Sequence, residues 1–366
     1  MPKFHNLSIN PWIFRLRPTP LMNSELTQHP STDPAQLLRY RDRQYAAELL
    51  AAAIVHLDLF TWLKKHAGST TEELRAHYHF AERPADVLLT LLRANGLIVT
   101  TEGRHSITSL ADEFLTSNSP WNLHPYYAPI QDNQITKDFL TVLQTGKPAN
   151  WQAQENGSDW HTSMLDEDFA RSFTQIMNCR GLAFGQKLAK ALHPLLENKN
   201  RILDVGGGSG IYASTMIAAH PQLTGAVMEQ APVDTIAREE IANHGLSEKL
   251  EVITADMFKV DWPETDILLL SNVLHDWDLP EVRKLFEKAA AALLTDGLLV
   301  IHEAFINDEK NGPLPVAEYS ALLMNITQGK CYCPNEYGVI LEELNFKVGP
   351  YQDTIADRGF MTAVKQ

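Results

Sequence analysis

The chain has 366 residues, 44% hydrophobic and 21% charged, so it is long enough for two domains with substantial cores. Its 45 acidic against 31 basic residues leave a formal charge of −14, which argues against a duplex nucleic-acid binder. Three cysteines (Cys179, Cys331 and Cys333) are too few for a disulfide framework and fit a reducing cytoplasm, and no long apolar run marks a secretory leader or a membrane span.

Residues 1–34 are rich in Pro, Ser, Thr and Asn and read as a loosely held arm. A helical pattern starts near Pro34. Residues 45–60 (YAAELLAAAIVHLDLF) are apolar on nearly every face, as expected of a helix buried in a core or between subunits. Thr70 and Glu73 have capping-box spacing ahead of a helix over 71–77. Another helix over 83–95 ends at Asn95-Gly96, a pair that tolerates a left-handed cap. Two β-prone runs around Glu102-Gly103 predict a hairpin. Helices followed by a small hairpin make a winged-helix pattern over 35–118. Its candidate recognition helix, RPADVLLTLLRAN, has two arginines, one aspartate and a mostly apolar body, which favours protein packing over DNA.

Residues 119–198 read as a helical linker and pocket region. Trp121, Tyr126, Tyr127, Trp151, Trp160, Phe169, Phe173 and Phe184 fall here or nearby. Core packing accounts for most of them, and an aromatic cluster between two domains also suits a planar substrate.

Beyond residue 199 the pattern alternates. Strands are expected at 202–205, 225–229, 250–254, 266–271 and 298–303, with helices at 212–219, 234–244 and 280–294 between them. Near-continuous apolar strands imply a sheet covered on both faces. The fold class expected is α/β, a doubly wound Rossmann-like sheet behind an α-helical winged-helix amino-terminal domain. Residues 346–351 and 359–365 read as an antiparallel addition to the sheet edge.

Asp204-Val205-Gly206-Gly207-Gly208-Ser209-Gly210 follows the first of these strands. Glycines there let a nucleotide-like ligand approach the backbone. The sixth position of the dinucleotide pattern is Ile211, and no lysine follows as in a Walker loop. Glu229 ends the second strand, where a carboxylate can accept both hydroxyls of a ribose. Asp256 follows the third, where an acid can face an adenine amine. The ligand therefore reads as a nucleoside without phosphates. His275 lies between the fourth strand and a helix with a good start signal, Asp278-Leu279-Pro280-Glu281, at the carboxyl end of the sheet.

The ordered motifs LDVGGGSG, MEQAPV, ADMF, NVLHDW and LLVIHE resemble those of class I S-adenosylmethionine-dependent methyltransferases. More narrowly, from about residue 35 to the end, the chain resembles the dimeric small-molecule O-methyltransferases of the caffeate and acetylserotonin type. The resemblance implies S-adenosyl-L-methionine as cofactor, held by Asp204, Gly206, Gly208, Glu229, Asp256, Met257 and Ser271, within a catalytic domain over 199–366. It implies His275 as general base, with Glu303 rather than the adjacent Asp276 orienting the imidazole. Phe173, Met177, Asp276, Met324 and Asn325 are the implied acceptor contacts. The implied partners are a small, hydroxylated, aromatic substrate and a second copy of the chain, with no nucleic acid, no membrane and no metal.

One departure stands out. Plant-type members carry a second glutamate flanking the histidine, and the matching stretch here, QGKCYCPNEY, offers Cys331, Tyr332 and Cys333. Glu336 reads as the start of the next helix, and Glu318 is another substitute. Methylation of carbon or nitrogen on the same fold, or a winged-helix regulator without enzymatic activity, are the alternatives to O-methylation.

Overall fold

The computed structural model describes residues 23–149 and 163–366. Residues 1–22, Trp151 and Trp160 lie outside the described residues. Within the described part of the expected loose arm, Asn23–Thr27 forms a docked helix, α1, and residues 28–34 are irregular. Leu26 is buried in the same apolar cluster as Phe184 and Met216, and the Glu25 carbonyl accepts from Gln186 Nε2 at 2.6 Å.

Helix α2 (Ala35–Asp42) leads into the apolar stretch 45–60, which is not one helix. It is α3 (Ala46–Ala51), a π turn over Ala52–His56, and a break before α4 (Leu59–Lys65). The break falls at Asp58, in the left-handed region with φ 43°, whose carboxylate accepts from Thr61 Oγ1 at 2.6 Å. A short polar side chain that bonds locally competes with helix continuation, and here it wins. Among the described residues no single helix is long and apolar enough to cross a membrane.

Helix α5 (Thr71–Tyr78) has the expected capping box, with Thr70 Oγ1 accepting from the Glu73 amide and Glu73 from the Thr70 amide. After α6 (Glu82–Ala94) comes the predicted hairpin, β2 (Ile98–Thr101) and β3 (Arg104–Ile107). A two-residue strand, β1 (Ser69–Thr70), joins β3 on its other side. Helices α7 (Ser109–Leu115), α8 (His124–Tyr127) and α9 (Gln134–Thr145) follow. The long α10 (Glu167–Leu192), capped by Asp166, then carries the chain to the main sheet.

That sheet holds β4 (Arg201–Val205), β5 (Thr224–Glu229), β6 (Leu250–Thr254), β7 (Thr265–Ser271) and β8 (Leu293–Glu303), all parallel. Helices α11 (Ile211–Ala219), α12 (Val233–Asn243) and α13 (Leu279–Ala292) connect them. The two late strands pair as expected: β9 (Phe346–Val348) lies against β11 (Gly359–Lys365), which runs antiparallel to β8, and β10 (Gln352–Asp353) flanks β11. The path is β10-β11-β8-β7-β4-β5-β6, so strand order reverses at β4, where doubly wound sheets open a crevice beyond their carboxyl ends.

Two further helices, α14 (Leu314–Ile326) and α15 (Pro334–Glu343), bind the halves together. One apolar core runs from Leu49 and Leu88 through Val316, Leu323 and Met324. Beside it, Asp86 of α6 and Glu336 of α15 share two lysines: Lys310 lies 3.0 Å from each acid, and Lys330 pairs with both. Lysines on two sides hold the Asp86 carboxyl down at about 2 against the effect of its own burial. Arg83, also on α6, donates to the Gly329 carbonyl at 2.7 Å.

Candidate functional site

A cavity of about 310 Å³ opens at the β4 reversal, between the sheet's carboxyl ends and helices α10 and α14. Its wall brings together Gly206, Gly208, Glu229, Met257, Ser271 and His275.

The nucleoside end is built on β4 and β5. Gly206 and Gly208 have φ of 66° and 57°, a backbone that side chains with a Cβ rarely adopt. A Cβ on Gly207 would press into the Asp204 carboxylate at 2.7 Å, so the loop folds directly over that acid. Asp204 is fully buried, and neither oxygen has a well-formed hydrogen bond. Burial pushes its carboxyl up to about 7, offset only in part by the Ala213 amide. Glu229 accepts from the Gly208 amide at 3.0 Å and the Gln230 amide at 2.9 Å, leaving lone pairs on both oxygens. Burial pushes it, too, up to about 7 despite those amides. Asp204 lies beneath the glycine loop and does not line the cavity, whereas the open backbone of Gly206 and Gly208 and a Glu229 carboxylate with lone pairs to spare do line it and fit the ribose end of a nucleoside such as S-adenosylmethionine.

Asp256 does not join this wall. Its Oδ1 accepts from the Phe258 amide at 2.9 Å and its Oδ2 pairs with Lys259 at 2.8 Å, while Ala255 and Met257 on either side line the cavity. Ser271 does line it. The Ser271 hydroxyl and Nδ1 of His302 share a hydrogen bond of 2.9 Å, and His302 is held neutral by burial and two arginines, its pKa pushed down to about 3.

His275 sits on a single 3-10 turn after β7. Asn272, in the left-handed region with φ 55°, starts the turn, and Glu303 at the end of β8 closes it. Oε1 of Glu303 accepts the Val273 and Leu274 amides, each at 3.0 Å, and Oε2 accepts from Nδ1 of His275. With its proton on Nδ1, the neutral ring presents a lone pair at Nε2. Burial alone lowers the imidazole pKa, but Glu303 and Asp276 outweigh it and the net direction is upward. Asp276 does not turn away from its neighbour: its Oδ1 lies 3.7 Å from His275 Nε2, and burial, opposed by His275, pushes its carboxyl up to about 6. The carboxylate that flanks Nε2 is therefore Asp276. Glu318 instead lies half-buried near Arg39 and Arg43.

On the acceptor side Phe173, Met177 and Asp276 line the cavity. Met324 and Asn325 do not; both are buried, Met324 in the amino-terminal core. The face of α14 that reaches the cavity is Tyr319, Leu322, Leu323 and Ile326, at i, i+3, i+4 and i+7. Of the other aromatics, Phe184 is core, while Trp121 and Tyr126 are exposed. Tyr212 and Tyr319 supply rings to the wall and were not singled out from the sequence, and Trp277, which closes the NVLHDW motif, supplies a third. Helical periodicity around α14 was the signal for Tyr319. Cys331 and Cys333 pack in the amino-terminal core rather than facing the ligand, and burial raises both thiols, Cys333 up to about 12. Glu336 closes a capping box at the start of α15, as expected.

The model of a family described as the O-methyltransferase domain matches residues 138–347. A 3-hydroxy-5-methyl-1-naphthoate 3-O-methyltransferase of Streptomyces sahachiroi is 30% identical over 70% of this chain and 73% of its own length. The L-tyrosine C(3)-methyltransferase of Streptomyces lavendulae is 24% identical over 84% of this chain and 82% of its own. Among solved structures, an O-methyltransferase family 2 protein from Planctomyces limnophilus, in complex with apigenin, superposes with a TM-score of 0.83 at 28% identity, covering 93% of this chain and 98% of that one.

Proposed function

We propose a function from one premise: this chain belongs to the O-methyltransferase domain family. It is an S-adenosylmethionine-dependent O-methyltransferase acting on a small molecule. What remains to be assigned is the acceptor, the residues that act and the assembly.

We assign proton removal to His275. The carrying observation is that Glu303 fixes the imidazole with Nδ1 protonated on the wall of the cavity that Gly206, Gly208 and Glu229 also line. Bound there, S-adenosylmethionine supplies a methyl group on a sulfonium. Nε2 of His275 would take the acceptor's hydroxyl proton as that oxygen took the methyl, S-adenosylhomocysteine being the group that leaves. Imidazole titrates near about 6.5 and a phenol near about 10, so removal accompanies attack rather than preceding it. Asp276, beside Nε2, positions the hydroxyl. Asp204 and the glycine loop hold the methionine part, Glu229 the ribose, and Met257 the adenine.

The acceptor we assign is a planar aromatic compound with a hydroxyl. Phe173, Met177, Trp277 and Tyr319 around the cavity support this, as do the naphthoate relative and the apigenin complex. Incubating the enzyme with S-adenosylmethionine and a panel of naphthols, hydroxynaphthoates and flavones tests it. The expected product gains one methyl on oxygen, and fragmentation that locates the methyl on carbon or nitrogen overturns the reading.

The assembly we assign is a homodimer in the cytoplasm through residues 35–118 and the start of the linker. Leu37, Tyr40, Leu110, Trp121 and Tyr126 are exposed on that half, which supports a covered face, and the three unpaired cysteines support a reducing compartment. A single-copy mass in light scattering at micromolar concentration rules out the dimer.

A further inference from the structure

Arg180 is a cation in the cavity wall that the steps above leave unused. It lies on α10 one turn beyond Met177, and its guanidinium donates to Met177 Sδ at 3.0 Å. The Phe184 ring lies 5.8 Å away. Burial works against its charge, yet the hydroxyls of Tyr319 and Tyr212 and the carboxylate of Asp42 keep its pKa above the ordinary value.

Among the described residues no carboxylate pairs with it. The acids nearby are engaged elsewhere: Asp42 with Arg358 at 3.1 Å and Arg41 at 3.6 Å, Glu303 with His275, and Asp276 beside His275 Nε2. Arg180 is half-buried on the cavity wall, so its charge faces the space a ligand would fill. The planar guanidinium fork matches a carboxylate in both charge and shape.

Resting on the methyl-transfer reading of this cavity, we propose that Arg180 is its carboxylate-binding residue, pairing with an acid group on the bound ligand beside Tyr319. Two ligands bring such a group: the methionine carboxylate of S-adenosylmethionine, or the acid of a hydroxyaromatic acceptor. The position suits either, because Tyr212 follows the glycine loop while Met177 and Tyr319 face the acceptor.

Calorimetry separates the sources. S-adenosylhomocysteine carries the carboxylate and 5′-methylthioadenosine lacks it. If Arg180 holds the cofactor, Arg180→Met weakens S-adenosylhomocysteine at least tenfold and leaves 5′-methylthioadenosine unchanged. If it holds the acceptor, both nucleosides bind as before. In that case wild type loaded with S-adenosylhomocysteine prefers 4-hydroxybenzoate or 3-hydroxy-2-naphthoate over the matching carboxamide by at least tenfold, and Arg180→Met erases the preference. Arg180→Lys, which keeps the charge, restores part of either effect, and thermal melting confirms that each variant is folded. Equal losses for the two nucleosides overturn the proposal, as does an unchanged S-adenosylhomocysteine affinity with no acid-over-amide preference. If wild type bound neither nucleoside, the methyl-transfer reading itself would fall first.

Discussion

Glu303 holds His275 twice over: one oxygen accepts from the imidazole Nδ1 and the other from the backbone amides of the turn that carries the ring. Orientation and electrostatics thus come from the same carboxylate. Burial lowers the His275 pKa, but Glu303 and Asp276 raise it further than burial lowers it. In the proposed role His275 works neutral, so turnover is expected to fall as pH drops through that raised value. Glu303→Gln removes the charge, so the acid limb of the kcat–pH profile moves to lower pH while the plateau falls. His275→Ala should cost roughly 10²–10⁴ in kcat with S-adenosylhomocysteine affinity intact. An acid limb that Glu303→Gln leaves in place counts against His275 as the titrating group.

Asp204 gives a different signal, in stability. Its folded-state carboxyl sits at about 7, above the ordinary carboxylate value, because burial disfavours the charge. The destabilisation is complete above pH 7 and gone below pH ~4, where the unfolded chain is protonated as well. Asp204→Asn should therefore melt several degrees higher than wild type at pH 8, with the gap closing towards pH 4, while binding S-adenosylhomocysteine more weakly. A variant that melts lower at pH 8 shows that the acid is compensated in the free protein.

Glu229 predicts a pH-dependent affinity. The carboxyl titrates at about 7 in the free protein, burial being the main cause. Only the ionised form accepts hydroxyls with both oxygens, so S-adenosylhomocysteine binding weakens as pH falls below 7. Losing hydrogen bonds to a charged group costs about 1.5–3 kcal/mol, roughly 10- to 100-fold in Kd, in Glu229→Ala. Titration calorimetry at three pH values on wild type and Glu229→Gln checks this, and the variant's curve should be flat.

Gly329 lies against the backbone of His275. A Cβ there would run into the His275 carbonyl and the Trp277 amide, backbone atoms that have no easy way to yield. Gly329→Ala should displace the turn and lower kcat at least tenfold, with a smaller effect on cofactor affinity. Full activity in this variant implies that the loop over 327–330 moves freely with respect to His275.

The strands and the glycine loop were legible because their signals are local: apolar runs, turn residues and an acid at a strand end. His275, Glu303 and Glu229 could be placed for the same reason, since each terminates a strand or follows one closely. What failed depended on which way a helix or turn faces. Met324 and Asn325 lie on the right helix but on its core face, because α14 also packs on α6. Asp276, expected as an acceptor contact, does line the cavity, but its closeness to His275 Nε2 on a single 3-10 turn was not expected of adjacent residues. Asp256 was read by position alone, and a lysine three residues on takes its charge. The break at Asp58 rests on Ser117, 59 residues away, as well as on Thr61, and no window of sequence contains both.

The four-charge cluster ties the two halves of this chain to one another. Asp86 and Arg83 stand on the amino-terminal half, yet one balances Lys310 and Lys330 and the other grips the carbonyl of Gly329, the residue beneath His275. A chimaera that imports another amino-terminal half without these two residues leaves two lysines facing Glu336 alone and frees the loop that lies against the His275 backbone. In this chain the amino-terminal half therefore bears directly on the backbone that carries His275, so a change made there reaches the turn without touching the catalytic half.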